Sequence, residues 1–183
     1  HDRIRVMTTR IDKILLKKKR KIKISCLTAY SKSIAKILDK HCDIVLVGDS
    51  LANVLYGMKS THQITLKNII QHAVSVRKGI KKSLLVVDMP KNTYRNISEA
   101  KKNAKIIMKR TNCDAVKIEN NNNFKIIKEL VDAKITVMGH IGYTPQFKKK
   151  FKVEGINEKE LKKLIKESLK IEKAGAFSIV LEC

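Results

Sequence analysis

The chain alternates short β-branched apolar runs with longer segments in which apolar residues recur at helical spacing. That alternation predicts a mainly parallel sheet with helical crossovers. Buried parallel strands read as continuous Val/Ile/Leu runs because both faces are covered. Five of the runs also end in, or closely flank, an ionisable residue: IVLVG before Asp49-Ser50, SLLVV before Asp88, AVKIE with Lys117 and Glu119, ITVMG before His140, and SIVL before Glu182. In α/β barrels and open α/β sheets, chemistry gathers at the carboxyl ends of such strands. This layout points to an enzyme.

Periodicity places the elements. A basic leader over about 10–20 carries Ile11, Ile14, Leu15 and Lys18 at helical spacing. Strands are predicted at 23–28, 44–47, 84–87, 115–118, 135–138 and 178–181. Between them come a short helix with Ile34, Ile37 and Leu38, and a helix over 66–78 with Ile69, Ile70 and Ala73 inward. A third begins near Ser98 with an Ala100, Ala104, Ile107, Met108 stripe, and a fourth covers 124–130. The last places Leu161, Leu164, Ile165 and Leu169 on one face. No internal repeat or second-domain boundary appears, so residues 1–183 read as one α/β domain, with residues 1–21 as leader and 22–183 as six β/α units.

At 183 residues and 43% hydrophobic content, the chain can bury a core. No apolar stretch approaches the roughly 20 residues that span a bilayer, and no signal peptide is evident. Cys26, Cys42, Cys113 and Cys183 are scattered without a CxxC pair, which fits reduced thiols in a cytoplasmic protein. The net charge of +23 invites a nucleic-acid partner, but 33 lysines against 7 arginines argue against specific recognition, which favours guanidinium. The lysines are spread along predicted polar helix faces. They leave a general attraction for small anions.

Asp49 and Asp88 follow buried strands and suit a hard cation such as Mg²⁺, which keeps positions open for substrate oxygens. Glu119 could join them directly or through water. The alternative is local: Asp49 caps the next segment, and Asp88 opens a turn before Pro90. Lys117 lies inside an apolar strand and needs an anionic partner, either a neighbouring acid or a bound carboxylate. Glu182, partly desolvated, is a candidate general base whose pKa burial could raise. His140 follows Gly139 and reads as a hydrogen-bonding group. His41, His62 and His72 receive no role.

Taken together, Gly48-Asp-Ser50, Val87-Asp-Met-Pro90, Val116-Lys-Ile-Glu119, the GHIGYTPQ segment at 139–146 and Leu181-Glu-Cys183 resemble the ketopantoate hydroxymethyltransferase family. Thr28-Ala29-Tyr30 resembles the start of its TAYD motif. The motifs run from about Ile22 to Cys183 in family order. The resemblance implies a TIM-type (β/α)8 barrel of the phosphoenolpyruvate mutase/isocitrate lyase superfamily and a homo-oligomer, decameric in the family. It implies transfer of a one-carbon unit from 5,10-methylenetetrahydrofolate to 3-methyl-2-oxobutanoate, giving 2-dehydropantoate for pantothenate synthesis. By the same resemblance Asp49, Asp88 and Glu119 hold Mg²⁺, while Asp49, Ser50, Asp88, Lys117 and His140 hold the keto acid. Glu182 is then the catalytic base.

The chain departs from the family at Ser31, where TAYD has Asp, at Ala52, and at Asn120 and Asn121, where glycines are common. The segment 147–155 is lysine-rich and shortened. Family chains continue for about two more β/α units, and Met7 sits about where they begin, so a barrel truncated after its sixth strand is expected. Two other readings stand beside transfer: a superfamily keto-acid lyase or mutase with the same Mg²⁺-enolate chemistry, or an inactive remnant serving as a binding or assembly protein.

Overall fold

A computed structural model describes residues 9–148 and 150–183; Met7 lies outside them. Six parallel strands form one sheet in sequential order: β1 (Cys26–Thr28), β2 (Ile44–Val47), β3 (Leu84–Asp88), β4 (Ala115–Glu119), β5 (Val137–Gly142) and β6 (Ser178–Glu182). Each crossover carries a helix. The helices are α1 (Arg10–Lys19), α2 (Lys32–Leu38), α3 (Leu51–Val54), α4 (Leu66–Arg77), α5 (Ile97–Thr111), α6 (Phe124–Asp132) and α7 (Glu158–Lys173). The result is a curled α/β array, part of a TIM-type barrel.

Local chemistry explains the helices. In α5, the Asn96 side chain accepts from the Glu99 amide at 2.9 Å, and Ala100, Ala104, Ile107 and Thr111 form the buried stripe. The helix ends at Asn112, in the left-handed region at φ 51°. Thr65 and Asn68 form a reciprocal capping pair that starts α4, whose Ile69, Ile70, Ala73 and Val76 are buried. Ser31 accepts from the Ile34 amide and so caps α2, supplying an oxygen where the family motif has Asp.

The strands divide the core in two. Val45, Val47, Leu85, Val87, Val116, Ile118 and Val137 point outward to the helices. Ile44, Leu84, Val86, Ala115 and Met138 point inward and pack with Ile14 of α1. The leader helix therefore closes the amino-terminal end of the barrel. Arg10 pairs with Asp114 at 3.0 Å and Lys17 pairs with Asp43, tying α1 to the loops entering β4 and β2. The opposite, carboxyl end stays open and polar.

Several boundaries differ from the sequence reading. The strand expected at 23–28 shortens to Cys26–Thr28 because it is an edge strand with one neighbour, and all three of its residues are exposed. The strand expected at 135–138 shifts to Val137–Gly142. Its glycines are weak strand formers, yet β4 and β6 pair it from both sides. Gly139 is required there because a Cβ would lie 2.6 Å from Ile171 of α7. Of the stripe assigned to α2, Ile34 and Ile37 are exposed while Leu38 packs partly buried against the core beside buried Ala35. In α7, Leu164 and Ile171 are buried while Leu161, Ile165 and Leu169 are exposed. The loop after Asp49 contains α3 and a 3-10 turn at Thr61–Gln63, both missed by periodicity because they span barely a turn each. All four cysteines are free. No helix among the described residues is long and apolar enough to cross a membrane.

Candidate active site

Strand register brings the predicted residues together. Side chains alternate along a strand, and directly paired residues of parallel neighbours share a face. Asp88 pairs with Lys117, and Glu119 pairs with His140. All four lie on the inward face, towards the carboxyl end of the strands from the apolar floor. Glu182 joins them from β6, opposite Gly142. Asp49 and Ser50 follow β2. These seven residues line one cleft of about 660 Å³ at the carboxyl end of the sheet, with Lys59, His62, Tyr143 and Lys148 also in its wall.

Most of this group is buried: Asp49 is 3% exposed, Asp88 2%, Lys117 6%, Glu119 1% and His140 2%. Lys117 Nζ lies 2.9 Å from Asp88 Oδ1, so the lysine has a neighbouring acid as its partner. Burial pulls the Lys117 pKa down, but Asp88 and Asp49 more than offset it, and the net shift is upward. Neither local alternative for the aspartates holds. The Asp49 side chain accepts from Gln146 Nε2 at 2.8 Å, and Asp88 Oδ2 accepts from the Asp49 amide at 2.9 Å.

Three buried carboxylates face one buried lysine, and no other lysine or arginine among the described residues is buried. Burial, reinforced by Asp88, pushes Asp49 up to about 7. Burial also pushes Glu119 up to about 8, although Lys117 opposes it. Asp88 Oδ1 has no aligned hydrogen bond despite its closeness to Lys117. No cluster of three preformed His, Cys, Asp or Glu ligands occurs among the described residues. The donors are nevertheless of the right kind for Mg²⁺, which uses one or two carboxylates and keeps several waters. The excess negative charge of the set fits a divalent cation.

Glu182 differs. Its side chain is 45% exposed, and Oε2 sits 3.2 Å from His140 Nε2. The expectation that burial would raise its pKa is corrected: contact with His140 outweighs partial desolvation and holds it below the usual carboxylate range. His140 Nδ1 faces Glu119 Oε1 at 3.7 Å, so the ring stands between two acids. Ser50 shares a 2.7 Å hydrogen bond with the Tyr30 hydroxyl, which joins the TAY segment to the cleft.

Sequence reasoning left three contributors without a role. His62 reaches the cleft wall from the loop after α3 and lies 3.1 Å from the Pro145 carbonyl. Tyr94 and Gln146 are buried beside the acids and joined by a hydrogen bond from the Tyr94 hydroxyl to Gln146 Oε1. Gln146 lay within a quoted motif, but its partners are distant in sequence and no periodicity signals them.

Residues 8–183 match the profile described as ketopantoate hydroxymethyltransferase. The chain belongs to that family. The 3-methyl-2-oxobutanoate hydroxymethyltransferase of Pelagibacter ubique is 56% identical over 169 residues, covering 92% of this chain and 66% of the relative. That of Clostridium botulinum is 47% identical over 167 residues, covering 88% and 61%. The chain thus spans slightly less than two thirds of the length of these relatives. Among solved structures, a phosphonopyruvate hydrolase in complex with oxalate and Mg²⁺ matches at a TM-score of 0.73 and 10% identity, covering 96% of this chain and 63% of that one. A 2,3-dimethylmalate lyase, a PEP mutase/isocitrate lyase superfamily member, matches at 0.69 and 14% identity, covering 96% and 64%. The structural likenesses show the fold alone, a parallel α/β barrel.

Proposed function

We propose that this cleft performs the hydroxymethyl transfer for which its relatives are named. 5,10-Methylenetetrahydrofolate would serve as donor, 3-methyl-2-oxobutanoate as acceptor and 2-dehydropantoate as product, in pantothenate biosynthesis. The observation that carries the reading is the meeting of three buried carboxylates, one buried lysine and a half-exposed glutamate in one cleft. Relatives above 40% identity bear the transferase name, which favours transfer over the lyase or hydrolase chemistry of the distant fold neighbours.

Asp49, Asp88 and Glu119 would hold Mg²⁺, which when bound supplies Lewis acidity and charge neutralisation at the keto acid's oxygens. The remaining work falls to the chain's own side chains. Lys117, held as an ammonium by Asp88, offsets the negative charge of the keto acid. Ser50 offers a hydroxyl at the end of β2. Glu182 removes the C3 proton: its lowered pKa keeps it ionised at neutral pH, and its exposure lets substrate reach it. His140 fixes the carboxylate's position. The resulting C3 nucleophile would attack the donor's methylene carbon, forming the new C–C bond; both methylene C–N bonds break, water supplies the hydroxyl, and tetrahydrofolate leaves with the proton from Glu182 and one from water on its two nitrogens.

The test is C3 proton exchange in deuterated water. With Mg²⁺ present, the chain should exchange the C3 hydrogen of 3-methyl-2-oxobutanoate, and Glu182→Gln should abolish exchange while largely preserving keto-acid binding. Unchanged exchange in that variant would remove Glu182 as base, and no exchange in the unmodified chain would overturn the reading for this chain.

A further inference from the structure

Gln146 touches three strand ends at once. It reaches them from the loop after β5, and it is 1% exposed. Its Nε2 donates to Asp49 Oδ2 at 2.8 Å, at the end of β2, and to the Met89 carbonyl at 3.0 Å, just past β3. Its backbone amide donates to Glu119 Oε2 at 2.9 Å, at the end of β4. Both amide protons of the side chain are therefore used. Its Oε1 accepts from the Tyr94 hydroxyl, and Tyr94 is 5% exposed.

A side-chain amide has a donor end and an acceptor end of nearly the same shape, so its orientation is set by its partners. The Asp49 carboxylate and the Met89 carbonyl can only accept, which turns Nε2 towards them and leaves Oε1 to accept from the Tyr94 hydroxyl. Reversed, the amide would press Oε1 against Asp49 and leave Nε2 against the tyrosine hydroxyl, losing two buried bonds. Asp49 and Glu119 also repel each other across a poorly solvated site, and a fixed donor to each opposes their drifting apart.

We propose that Gln146, anchored at its Oε1 end by Tyr94, is a positioning residue that holds Asp49 and Glu119 in a fixed arrangement for divalent-cation binding. The inference rests on the metal reading given above. Partners that orient metal-binding carboxylates typically change affinity about 10- to 100-fold when removed.

Mn²⁺ binding to the chain, followed by electron paramagnetic resonance of the free ion, tests it without a turnover assay. Gln146→Met keeps the side chain's length but removes its side-chain donors to Asp49 and the Met89 carbonyl, and should weaken Mn²⁺ binding by at least about tenfold. Tyr94→Phe conserves packing, guards against a variant that fails to fold, and should weaken binding severalfold with little change in melting temperature. A merely structural role predicts that Tyr94→Phe leaves Mn²⁺ affinity unchanged, and that result would overturn the proposal. If the unmodified chain itself fails to bind Mn²⁺, the metal reading falls and this inference falls with it.

Discussion

The metal-free chain should lose stability as pH rises from mildly acidic to mildly alkaline, the reverse of ordinary acid denaturation. Asp49 moves from 3.8 to about 7, and Glu119 from 4.5 to about 8. Between these values the folded chain holds protons that the unfolded chain has released, so stability falls with pH. At about 1.4 kcal/mol per pKa unit, each carboxylate taken alone costs roughly 4 to 5 kcal/mol once ionised inside the fold. Protonating one relieves part of the repulsion on the other, so the two together contribute less than twice that amount. The stabilisation is fully present below about pH 4 and is lost through about pH 7 to 8. Urea midpoints measured with a chelator across that range should fall. The Asp49→Asn/Glu119→Gln variant should show a much flatter dependence. Saturating Mg²⁺ should restore stability at the alkaline end and release protons on binding. Parallel pH dependences in the two chains would show that these carboxylates are not the source and refute the reasoning.

Two further outcomes follow from the same geometry. Gly142 sits at φ +89°, and a Cβ there would lie 1.9 Å from the Glu182 carbonyl oxygen, so Gly142→Ala should lower the melting temperature and displace Glu182, the proposed base. The strained backbone alone costs of order 1–3 kcal/mol, and C3 exchange should fall with it; an unaltered melting curve would contradict the contact. Lys117→Met leaves Asp88 without its 2.9 Å partner and should destabilise the chain by about 3–5 kcal/mol in urea unfolding. Adding Asp88→Asn should recover part of that loss, whereas simple additivity of the two changes would show that the pair is not coupled.

Much of the site was legible because parallel strands convert sequence position into spatial position. A residue at the end of an apolar run lands at the carboxyl edge of the sheet, so Asp49, Asp88, Lys117, Glu119, His140 and Glu182 could be gathered before any coordinate was known. Their register could not. His140 was expected after its strand but lies within it, because pairing with Glu119 on one side and Val180 on the other extends β5 through two glycines. The pKa of Glu182 was misjudged for a related reason. Burial is readable from an apolar run, whereas the histidine 3.2 Å away comes from another strand.

The helical stripes carry a different lesson. Periodicity identifies residues that share a face, but a face is buried only where a neighbour covers it. α2 and α7 flank the two edge strands, β1 and β6, and there the stripes at Ile34 and Ile37 and at Leu161, Ile165 and Leu169 remain exposed. Leu27 of β1 and Leu181 of β6 are exposed with them. Helices α4, α5 and α6 cover interior strands, and their predicted inward residues Ile69, Ile70, Ala73, Ala100, Ala104 and Ile107 are buried. The same pattern therefore succeeds or fails according to position in the sheet. The candidate site escapes this ambiguity at its centre: Asp88, Lys117 and Glu119 stand on interior strands with paired neighbours on both sides.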